Sequence, residues 1–264
     1  METLTISQYS TVYNFLSLAI ASMGAAFIFF IGAREKVDKT YRGALLVSAV
    51  VVAVAAYHYF RILQSWEGAY ALADGVYQAT GVQFNDAYRY ADWLLTVPLL
   101  MVEVVAVLGL SRSKSTPLFA KLSIAAFLMI ATGYPGEIAT DTTTRLIWGT
   151  ISTIPFAYIL YVLWGELSKA LENESEKVKT LMRNTKLLIL GTWGVYPIAY
   201  LFPVFGIAGA DAMVGLQVGY SIADITAKAG MGLMIFAIAR AKTLENQPSE
   251  PAEVGAGGQL QAAE

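Results

Sequence analysis

The stretch MVGLQVGYSIADITAKAGMGLMIFAIA, residues 213–239, decides the fold class of this 264-residue chain. Its only charged residues are Asp224 and Lys228. An ammonium at the centre of a membrane helix costs at least ~3 kcal/mol, so a chain keeps one only where it is used or neutralised. Because four residues make about one helical turn, the two side chains are expected on the same helix face.

Two interpretations of this pair stay open from these residues alone. A buried lysine whose charge can be tuned is the usual attachment point for an aldehyde or ketone, through a Schiff base. The alternative is a buried ion pair that only fixes the packing of the helix. The choice between them depends on the rest of the chain.

The composition of the whole chain also indicates a membrane protein. Hydrophobic residues make up 56% of it and charged residues only 14%, whereas ordinary globular domains are about 25% charged. The apolar residues form seven blocks, each long enough for a helix that crosses a hydrocarbon core of ~30 Å. The blocks cover residues 11–32, 43–66, 87–110, 117–139, 145–167, 184–205 and 210–239.

These blocks have neither the period-two alternation of a membrane β-barrel nor the polar stripe of a soluble helical bundle. Backbone groups in lipid must be satisfied within their own segment. We therefore predict an all-α membrane protein, a bundle of seven transmembrane helices over residues 1–243, with the first block retained rather than cleaved as a signal peptide. Residues 244–264 are rich in Pro, Gly, Glu, Gln and Ala and predict a disordered cytoplasmic tail. The absence of cysteine excludes disulfides and thiolate metal sites, and we predict no metal site.

Charged residues in the connections predict the orientation. The connections after the first, third, fifth and seventh blocks carry nearly all of the basic residues, whereas those on the opposite side carry only Arg145. By the positive-inside rule, the N-terminus is outside and the C-terminus is cytoplasmic. The outer connection at residues 67–85 holds Asp74-Gly75 and Gly81 between short apolar runs, which predicts a short extracellular β-hairpin between the second and third helices.

The third block, which includes RYADWLLTVPLLMVE at residues 89–103, carries two acids eleven residues apart, Asp92 and Glu103. At 3.6 residues per turn they return to nearly the same face, about 16 Å apart along the axis. Thr96 lies one turn after Asp92 on that face, and Arg89 lies nearly one turn before it. Two carboxyls stacked across an apolar slab indicate a proton relay; the alternative is that helix partners merely satisfy both.

The surroundings of the two acids predict different protonation states. Asp92 lies beside Arg89 and, in the first interpretation of Lys228, beside a second cation, so it is expected to be ionised. Glu103 has only apolar neighbours in sequence and is expected to start protonated. One carboxyl is then ready to accept a proton and the other to give one, in a fixed direction.

Three motifs resemble the helix signatures of microbial rhodopsins: RYADWLLTVPLL at 89–100, WGVYP at 193–197 and DITAK at 224–228. The resemblance covers all seven helices. It implies a light-driven transporter rather than an enzyme, with all-trans-retinal bound to Lys228 as a protonated Schiff base and with Asp92 and Asp224 as its counterions. The residues that the resemblance implies around the chromophore are Trp93, Leu100, Met129, Gly133, Ser152, Trp193, Tyr196, Pro197 and Tyr200. Any single aromatic among them could instead be ordinary core packing.

The triplet Asp92, Thr96 and Glu103 resembles that of outward proton pumps of the proteorhodopsin and xanthorhodopsin group. It implies that Asp92 is the proton acceptor and Glu103 the proton donor, with Arg89 as an extracellular gate. His58, the only histidine, lies midway along the second block, where this group places a histidine beside the acceptor. The alternative is a packed core histidine.

Two further positions separate this chain from bacteriorhodopsin. Residues 206–216 offer only Asp211 where bacteriorhodopsin has a glutamate pair, so we expect late rather than early proton release. Gly149 aligns with a bulky tryptophan of bacteriorhodopsin, and xanthorhodopsin-like pumps have glycine there. This glycine implies a window beside the retinal ring for a hydroxylated carotenoid antenna; the alternative is that it only allows close helix packing.

The function that these residues predict is a light-driven outward proton pump in the plasma membrane of a prokaryote. Its partners are the lipid bilayer and protons but no nucleic acid, and the resemblance implies a homo-oligomer, a pentamer or hexamer. The alternative is a photosensory rhodopsin that signals through a membrane partner. Glu103 counts against it, since sensors commonly lose the donor acid. A non-photochemical transporter would need paired broken helices, which the sequence does not display.

Overall fold

The computed structural model describes residues 2–246, and helices packed side by side make up most of it. The helices are α1 Ile6–Ala33, α2 Lys39–Ala69, α3 Tyr88–Val107, α4 Arg112–Glu137, α5 Thr142–Ala170, α6 Glu176–Trp193, α7 Val195–Tyr200, α8 Ala210–Ile225 and α9 Met231–Glu245. Helices α6 and α7 together form the sixth crossing. Helices α8 and α9, joined by a π-helical turn at Thr226–Gly230, form the seventh. The predicted seven-helix bundle is therefore confirmed.

The order of packing closes the bundle into a ring. Each of the first five helices packs against the next along the chain, and α1 also packs against α8 while α6 packs against α9. Within the described chain, six segments are long and apolar enough to span a membrane. They are Ile6–Lys36, Lys39–Ala69, Tyr88–Val107, Arg112–Glu137, Thr142–Ala170 and Ala210–Glu245.

The sixth crossing differs from its predicted block at residues 184–205. Helix α6 already begins at Glu176, where the Ser175 hydroxyl caps it by accepting a hydrogen bond from the Val178 amide. Its first turns are charged, and the helix axis is interrupted after Trp193, before Pro197. Hydropathy marks the part of a helix that contacts lipid, whereas a capping residue marks where the helix begins, so the two boundaries need not coincide.

The outer surface of the ring is strongly apolar. Large hydrophobic side chains are exposed there, including Tyr161 at 79%, Ile28 at 73% and Ile154 at 69%. A soluble monomer rarely exposes so much apolar area in one band. These side chains contact the lipid bilayer, and the polar and charged side chains that the chain buries face the interior of the ring.

The predicted hairpin is also confirmed. Strands β1 Tyr70–Ala73 and β2 Val76–Ala79 pair antiparallel, with Tyr70 opposite Ala79. Both turn residues, Asp74 and Gly75, have positive φ angles of 51° and 79°, as a two-residue type I′ turn requires. We call this side of the bundle the hairpin end and the opposite side the tail end. Which end faces the cytoplasm stays a prediction.

Side-chain contacts hold the last turn of α9 to the connections of the tail end. The Ser175 hydroxyl donates to the Glu245 carboxylate over 2.6 Å, and the Asp38 amide donates to the Thr243 hydroxyl over 2.8 Å. Lys242 forms a buried ion pair with Glu174. The boundary that we predicted between residues 243 and 244 thus falls inside a helix that continues to Glu245. Residues 247–264 of the predicted tail lie outside the described residues.

Candidate functional site

Lys228 lies in the π-helical turn between α8 and α9, buried in the centre of the bundle. Its Nζ atom is 2.7 Å from Oδ2 of Asp92 and 3.0 Å from Oδ2 of Asp224. The predicted pairing of Asp224 with Lys228 on one helix face is therefore present, and α3 adds a second carboxylate. A π turn inserts one extra residue into a helix and is frequent at functional sites. No residue pattern in the sequence predicted it.

Asp224 is surrounded by hydrogen-bond donors. Its Oδ1 atom accepts from the Tyr196 hydroxyl at 2.5 Å and from the Trp93 indole at 3.1 Å. Its Oδ2 atom accepts from the Tyr59 hydroxyl at 2.9 Å. Such charge-assisted bonds are stronger than neutral ones and fix the carboxylate in its ionised form. The sequence did not point to Tyr59, because its partner is on another helix and no spacing links them.

Asp92 has far fewer partners, although it is equally buried. Besides Lys228, His58 lies near it, with its Nδ1 atom 3.9 Å from Oδ1 of Asp92. That nitrogen lies closer to the Val54 carbonyl, at 3.0 Å. The Thr96 hydroxyl donates to the backbone carbonyl of Asp92 over 2.9 Å, not to its carboxylate. His58 and Thr96 thus lie next to Asp92 without a direct hydrogen bond to its carboxylate.

Arg89 does not lie where we expected it. In the described chain, the only carboxylate within 4.0 Å of its guanidinium is that of Asp86, at 3.8 Å. The guanidinium lies over the rings of Tyr59 and Tyr220, at 5.7 Å and 5.3 Å from their centres. Side chains of a helix tilt toward its N-terminus, so this long side chain points to the hairpin end, away from Asp92. We expected Arg89 beside Asp92, but no ion pair within 4.0 Å joins them in the described chain, and the positive charge next to Asp92 is that of Lys228.

Glu103 lies about three turns from Asp92 toward the tail end and is fully buried. Neither of its carboxyl oxygens has a hydrogen-bond partner among the described residues. Ser48 of α2 is buried as well, but its hydroxyl donates to the Ala44 carbonyl over 3.2 Å. An ion without a partner is very costly in such a place, so the neutral carboxylic acid is the favoured form. This agrees with the state predicted from its apolar sequence neighbours.

A cavity extends from Lys228 and Asp224 between α3, α4, α5, α7 and the seventh crossing. It contains about 870 Å³ of space that no atom occupies, a volume that includes its open side. All ten residues predicted to contact retinal or a carotenoid line it. They are Trp93, Leu100, Met129, Gly133, Gly149, Ser152, Trp193, Tyr196, Pro197 and Tyr200. The sequence did not identify seven further lining residues, which are Tyr90, Val97, Ile130, Thr153, Phe156, Tyr220 and Ala227.

The residues that line this cavity fit retinal. A long conjugated aldehyde needs an apolar slot that ends at an amine, and the cavity is lined mainly by aromatic and aliphatic side chains with Lys228 at one end. The positive charge of a protonated Schiff base at Nζ would lie between Asp92 and Asp224. The aromatic rings of Trp93 and Tyr196 are 5.0 Å apart and meet edge to face, which gives the slot rigid walls.

The ring of Tyr200 covers Gly149. A Cβ atom at Gly149 would lie 2.6 Å from Cε1 of Tyr200, so only glycine allows this approach. The Tyr200 hydroxyl donates to the Arg145 carbonyl over 2.6 Å, and the Arg145 guanidinium lies 5.0 Å from the centre of the ring. The space opened by Gly149 is thus partly filled by Tyr200. This geometry favours a packing role, while Gly149 also lines the cavity.

The acids of the hairpin end have different partners. Asp211 accepts a hydrogen bond of 2.6 Å from the Gln8 amide and so joins α8 to α1. Glu137 lies 3.4 Å from Arg145, and the Gln217 amide donates to Asp86 over 3.3 Å. A pair of acids in mutual contact is absent from residues 206–216, since Asp211 is their only acid.

Comparisons with known proteins agree with this architecture. The family described as bacteriorhodopsin-like protein matches residues 11–242. The green-light absorbing proteorhodopsin of Gamma-proteobacterium EBAC31A08 is 29% identical over 225 residues, which cover 84% of each chain. The solved structure of xanthorhodopsin, a light-driven ion pump with dual chromophore, is 53% identical, with a TM-score of 0.89 over 93% of this chain and 98% of that one. A solved thermophilic rhodopsin is 51% identical, with a TM-score of 0.90 and the same coverage.

The family match covers nearly all of the helical part of the chain and includes the three motifs at 89–100, 193–197 and 224–228. Rhodopsins of this kind are multi-pass membrane proteins of prokaryotes, and they are transporters rather than enzymes. The membrane spans and the buried lysine are consistent with the family match and with the relatives. This chain therefore belongs to the bacteriorhodopsin-like family and, within it, to the proteorhodopsin and xanthorhodopsin group of microbial type 1 rhodopsins.

Proposed function

We propose that this protein is a light-driven outward proton pump with all-trans-retinal bound to Lys228 as a protonated Schiff base. The observation that carries the proposal is the position of the Lys228 amine, at the end of an aromatic cavity and between two buried carboxylates. When bound, retinal supplies light absorption and a change of shape that alters the proton affinity of the amine nitrogen. The residues around it decide where a proton can go.

The unequal surroundings of the two carboxylates support Asp92 as the proton acceptor. Asp224 receives hydrogen bonds from Tyr59, Trp93 and Tyr196, and protonating it would weaken three charge-assisted bonds at once. Among the described residues, the Lys228 amine is the only close donor to Asp92. Protonating Asp92 therefore costs less than protonating Asp224, and Asp224 remains a fixed negative charge, the second counterion.

His58 and Arg89 have supporting roles in this proposal. A small rotation of the imidazole would bring His58 from 3.9 Å into hydrogen-bond contact with Asp92, so it can adjust how readily that carboxyl takes a proton. Arg89 holds a positive charge between Asp92 and the hairpin end, where it prevents a proton from returning and directs it toward Asp86. We propose that Arg89 is the gate on the extracellular side.

Glu103 is the proposed proton donor because it is the buried acid on the tail-end side of Lys228. The proton then moves from Glu103 toward Lys228 and from Asp92 toward the hairpin end. With the hairpin end outside, as the distribution of basic residues predicts, the net movement is outward. The photosensory alternative does not account for a buried, unpartnered acid at this position.

Light-driven acidification tests the proposal. Cells that express the protein with retinal should acidify an unbuffered medium on illumination, and a protonophore should abolish the change. A coloured protein that transports no protons in sealed vesicles would support the sensor instead. Native mass spectrometry of the purified, detergent-solubilised protein tests the proposed homo-oligomer, which should be a pentamer or a hexamer.

Glu103→Gln should leave the colour nearly unchanged, because Glu103 is far from Lys228, but should slow recovery of the ground-state absorption after a flash. Loss of a positioned proton donor costs a factor of about a hundred or more. Azide, a small mobile acid, should partly restore the rate. The measurement is flash photolysis at neutral pH.

Glu172→Gln is the matched control, since Glu172 is an exposed acid of the tail end. It should recover at the wild-type rate. Wild-type recovery and pumping in Glu103→Gln would contradict the donor role.

Gly149→Trp distinguishes the carotenoid antenna predicted from the sequence from a packing role of Gly149. A new blue band in the excitation spectrum of pumping is expected when wild-type protein is incubated with hydroxylated carotenoids, and it should be lost in the variant. Because Tyr200 lies over Gly149, the tryptophan must also displace that ring, so retinal absorbance has to be measured in parallel.

Ile151→Trp places the same side chain on an exposed position of α5 and should keep the band. If no carotenoid binds the wild type, or if Gly149→Trp binds as well as wild type, Gly149 only allows packing against Tyr200.

A further inference from the structure

Helices α5 and α6 enclose a second depression, separate from the retinal cavity and nearer the tail end. Its walls are mainly aliphatic, and they also include Trp164 of α5 and Lys186 of α6. Trp164 is 47% exposed on the outer surface of the bundle, so the depression opens toward lipid. We call it the α5–α6 groove.

The amine of Lys186 is held in a defined position in this groove. Its Nζ atom is 2.8 Å from the Ser168 hydroxyl oxygen and 4.0 Å from the centre of the Trp164 ring. The Ser168 hydroxyl itself donates to the Trp164 carbonyl over 2.6 Å, so it accepts a hydrogen bond from the amine. An ammonium has three N–H donors, and this arrangement leaves at least one of them available.

Lys186 has no negative partner in the part of the chain that the structure describes. The acids of α5 and α6 are already paired, Glu166 with Lys169 and Glu176 with Lys179. The other charged residue near Lys186 is Arg183, a second cation one turn earlier on α6. Two cations at the border of an apolar surface attract an anion.

The position of the groove along the membrane normal indicates the kind of anion. Helix α6 begins at the tail end, and helical side chains tilt toward the N-terminus, so the amine of Lys186 is directed toward the membrane surface there. Tryptophan and lysine together are typical of the headgroup region of a bilayer. The aliphatic walls continue from this point toward the centre of the membrane, along Leu163, Ile189 and Leu190.

We propose that the α5–α6 groove binds an anionic phospholipid of the tail-end leaflet. Its phosphate is bound by Lys186 and Arg183, and an acyl chain lies along the aliphatic walls. Basic pockets between membrane helices are suited to such headgroups, whereas a zwitterionic lipid brings its own positive charge close to the lysine. The proposal concerns a surface site and does not depend on the pumping mechanism.

The test titrates palmitoyl-oleoyl phosphatidylglycerol into the purified, detergent-solubilised full chain and counts bound lipids by native mass spectrometry. Lys186→Gln should raise the Kd of the first bound lipid about fivefold, the effect expected for one basic group near an anionic lipid. Lys186→Arg should restore wild-type binding. Lys121→Gln, which removes an exposed lysine of α4 at the tail-end half of that helix, should not change it. Visible absorbance and circular dichroism verify that each variant is folded.

Three results would overturn the proposal. The first is an unchanged Kd in Lys186→Gln, and the second is an equal loss in Lys121→Gln, which would indicate a general charge effect. The third is a change in oligomer distribution with unaltered lipid binding, which would make the groove an interface between copies of this chain. Palmitoyl-oleoyl phosphatidylcholine should bind equally weakly to wild type and Lys186→Gln, and a wild-type preference for it would also contradict the assignment.

Discussion

Replacing Lys228 with alanine should give a folded protein that stays colourless when all-trans-retinal is added. Of the residues that the structure describes, Lys228 is the only lysine that lines the cavity, so no other amine there can form the covalent bond. The change also leaves Asp92 and Asp224 buried without their cation, which costs about 3–5 kcal/mol unless one of them takes up a proton. We therefore expect a lower thermal midpoint as well as the loss of colour, measured by absorbance and circular dichroism.

A second arm of this experiment separates loss of attachment from collapse of the cavity. Retinal supplied to the Lys228→Ala protein as a preformed imine of a small alkylamine should restore much of the colour, because the aromatic walls remain. Lys121→Ala, at an exposed site, is the control for removal of a lysine and should bind retinal normally. A coloured, hydroxylamine-sensitive product from Lys228→Ala and retinal alone would refute the assignment.

Replacing Asp92 with asparagine should shift the absorption to the red and abolish proton transport. Asp92 lies 2.7 Å from the Lys228 amine, so removing its charge reduces the stabilisation of a positive charge localised there in the ground state. Transport stops because asparagine cannot accept a proton. The measurements are the absorption spectrum of the purified protein and the light-driven pH change of cells.

Asp141→Asn is the matched control, because Asp141 caps α5 by accepting a hydrogen bond from the Thr144 amide, and asparagine caps a helix equally well. It should pump at the wild-type rate. Asp224→Asn should differ from Asp92→Asn by losing stability, since Tyr59, Trp93 and Tyr196 would all lose a charged acceptor. Outward pumping in Asp92→Asn at the wild-type rate would show that another group accepts the proton.

Much of the fold could be predicted because the decisive signals are local. The length of each apolar block indicates a membrane crossing, and Asp74-Gly75 indicates a two-residue turn. Neither inference needs any other part of the chain. The spacing of Asp224 and Lys228 likewise follows from helical geometry alone. Where a boundary was misjudged, as in α6, the charged turns beyond the lipid continue the helix, and hydropathy does not report them.

The candidate site was predicted less completely, because its geometry depends on which helices become neighbours. The resemblance supplied the residues of the cavity, but Tyr59 could be identified only after α2 and α8 were seen to pack near each other. The spacing of Arg89 and Asp92 along one helix predicted that they lie side by side, but spacing does not include the tilt of side chains toward the N-terminus, which directs Arg89 toward Asp86. Gly149 was expected to leave space, but the ring of Tyr200 approaches it from another helix.

By itself, the sequence determined that this protein crosses the membrane seven times, which charged residues it carries inside the apolar blocks, and the family to which it is similar. These properties follow from hydrophobic length and helical period, which act within one segment. Only the tertiary structure decided that Asp224 is enclosed by donors while Asp92 is nearly unpartnered. It also decided that Lys186 lies in a groove where none of the described acids pairs with it. Such differences arise between helices, where side-chain direction and neighbouring surfaces set the local electrostatics.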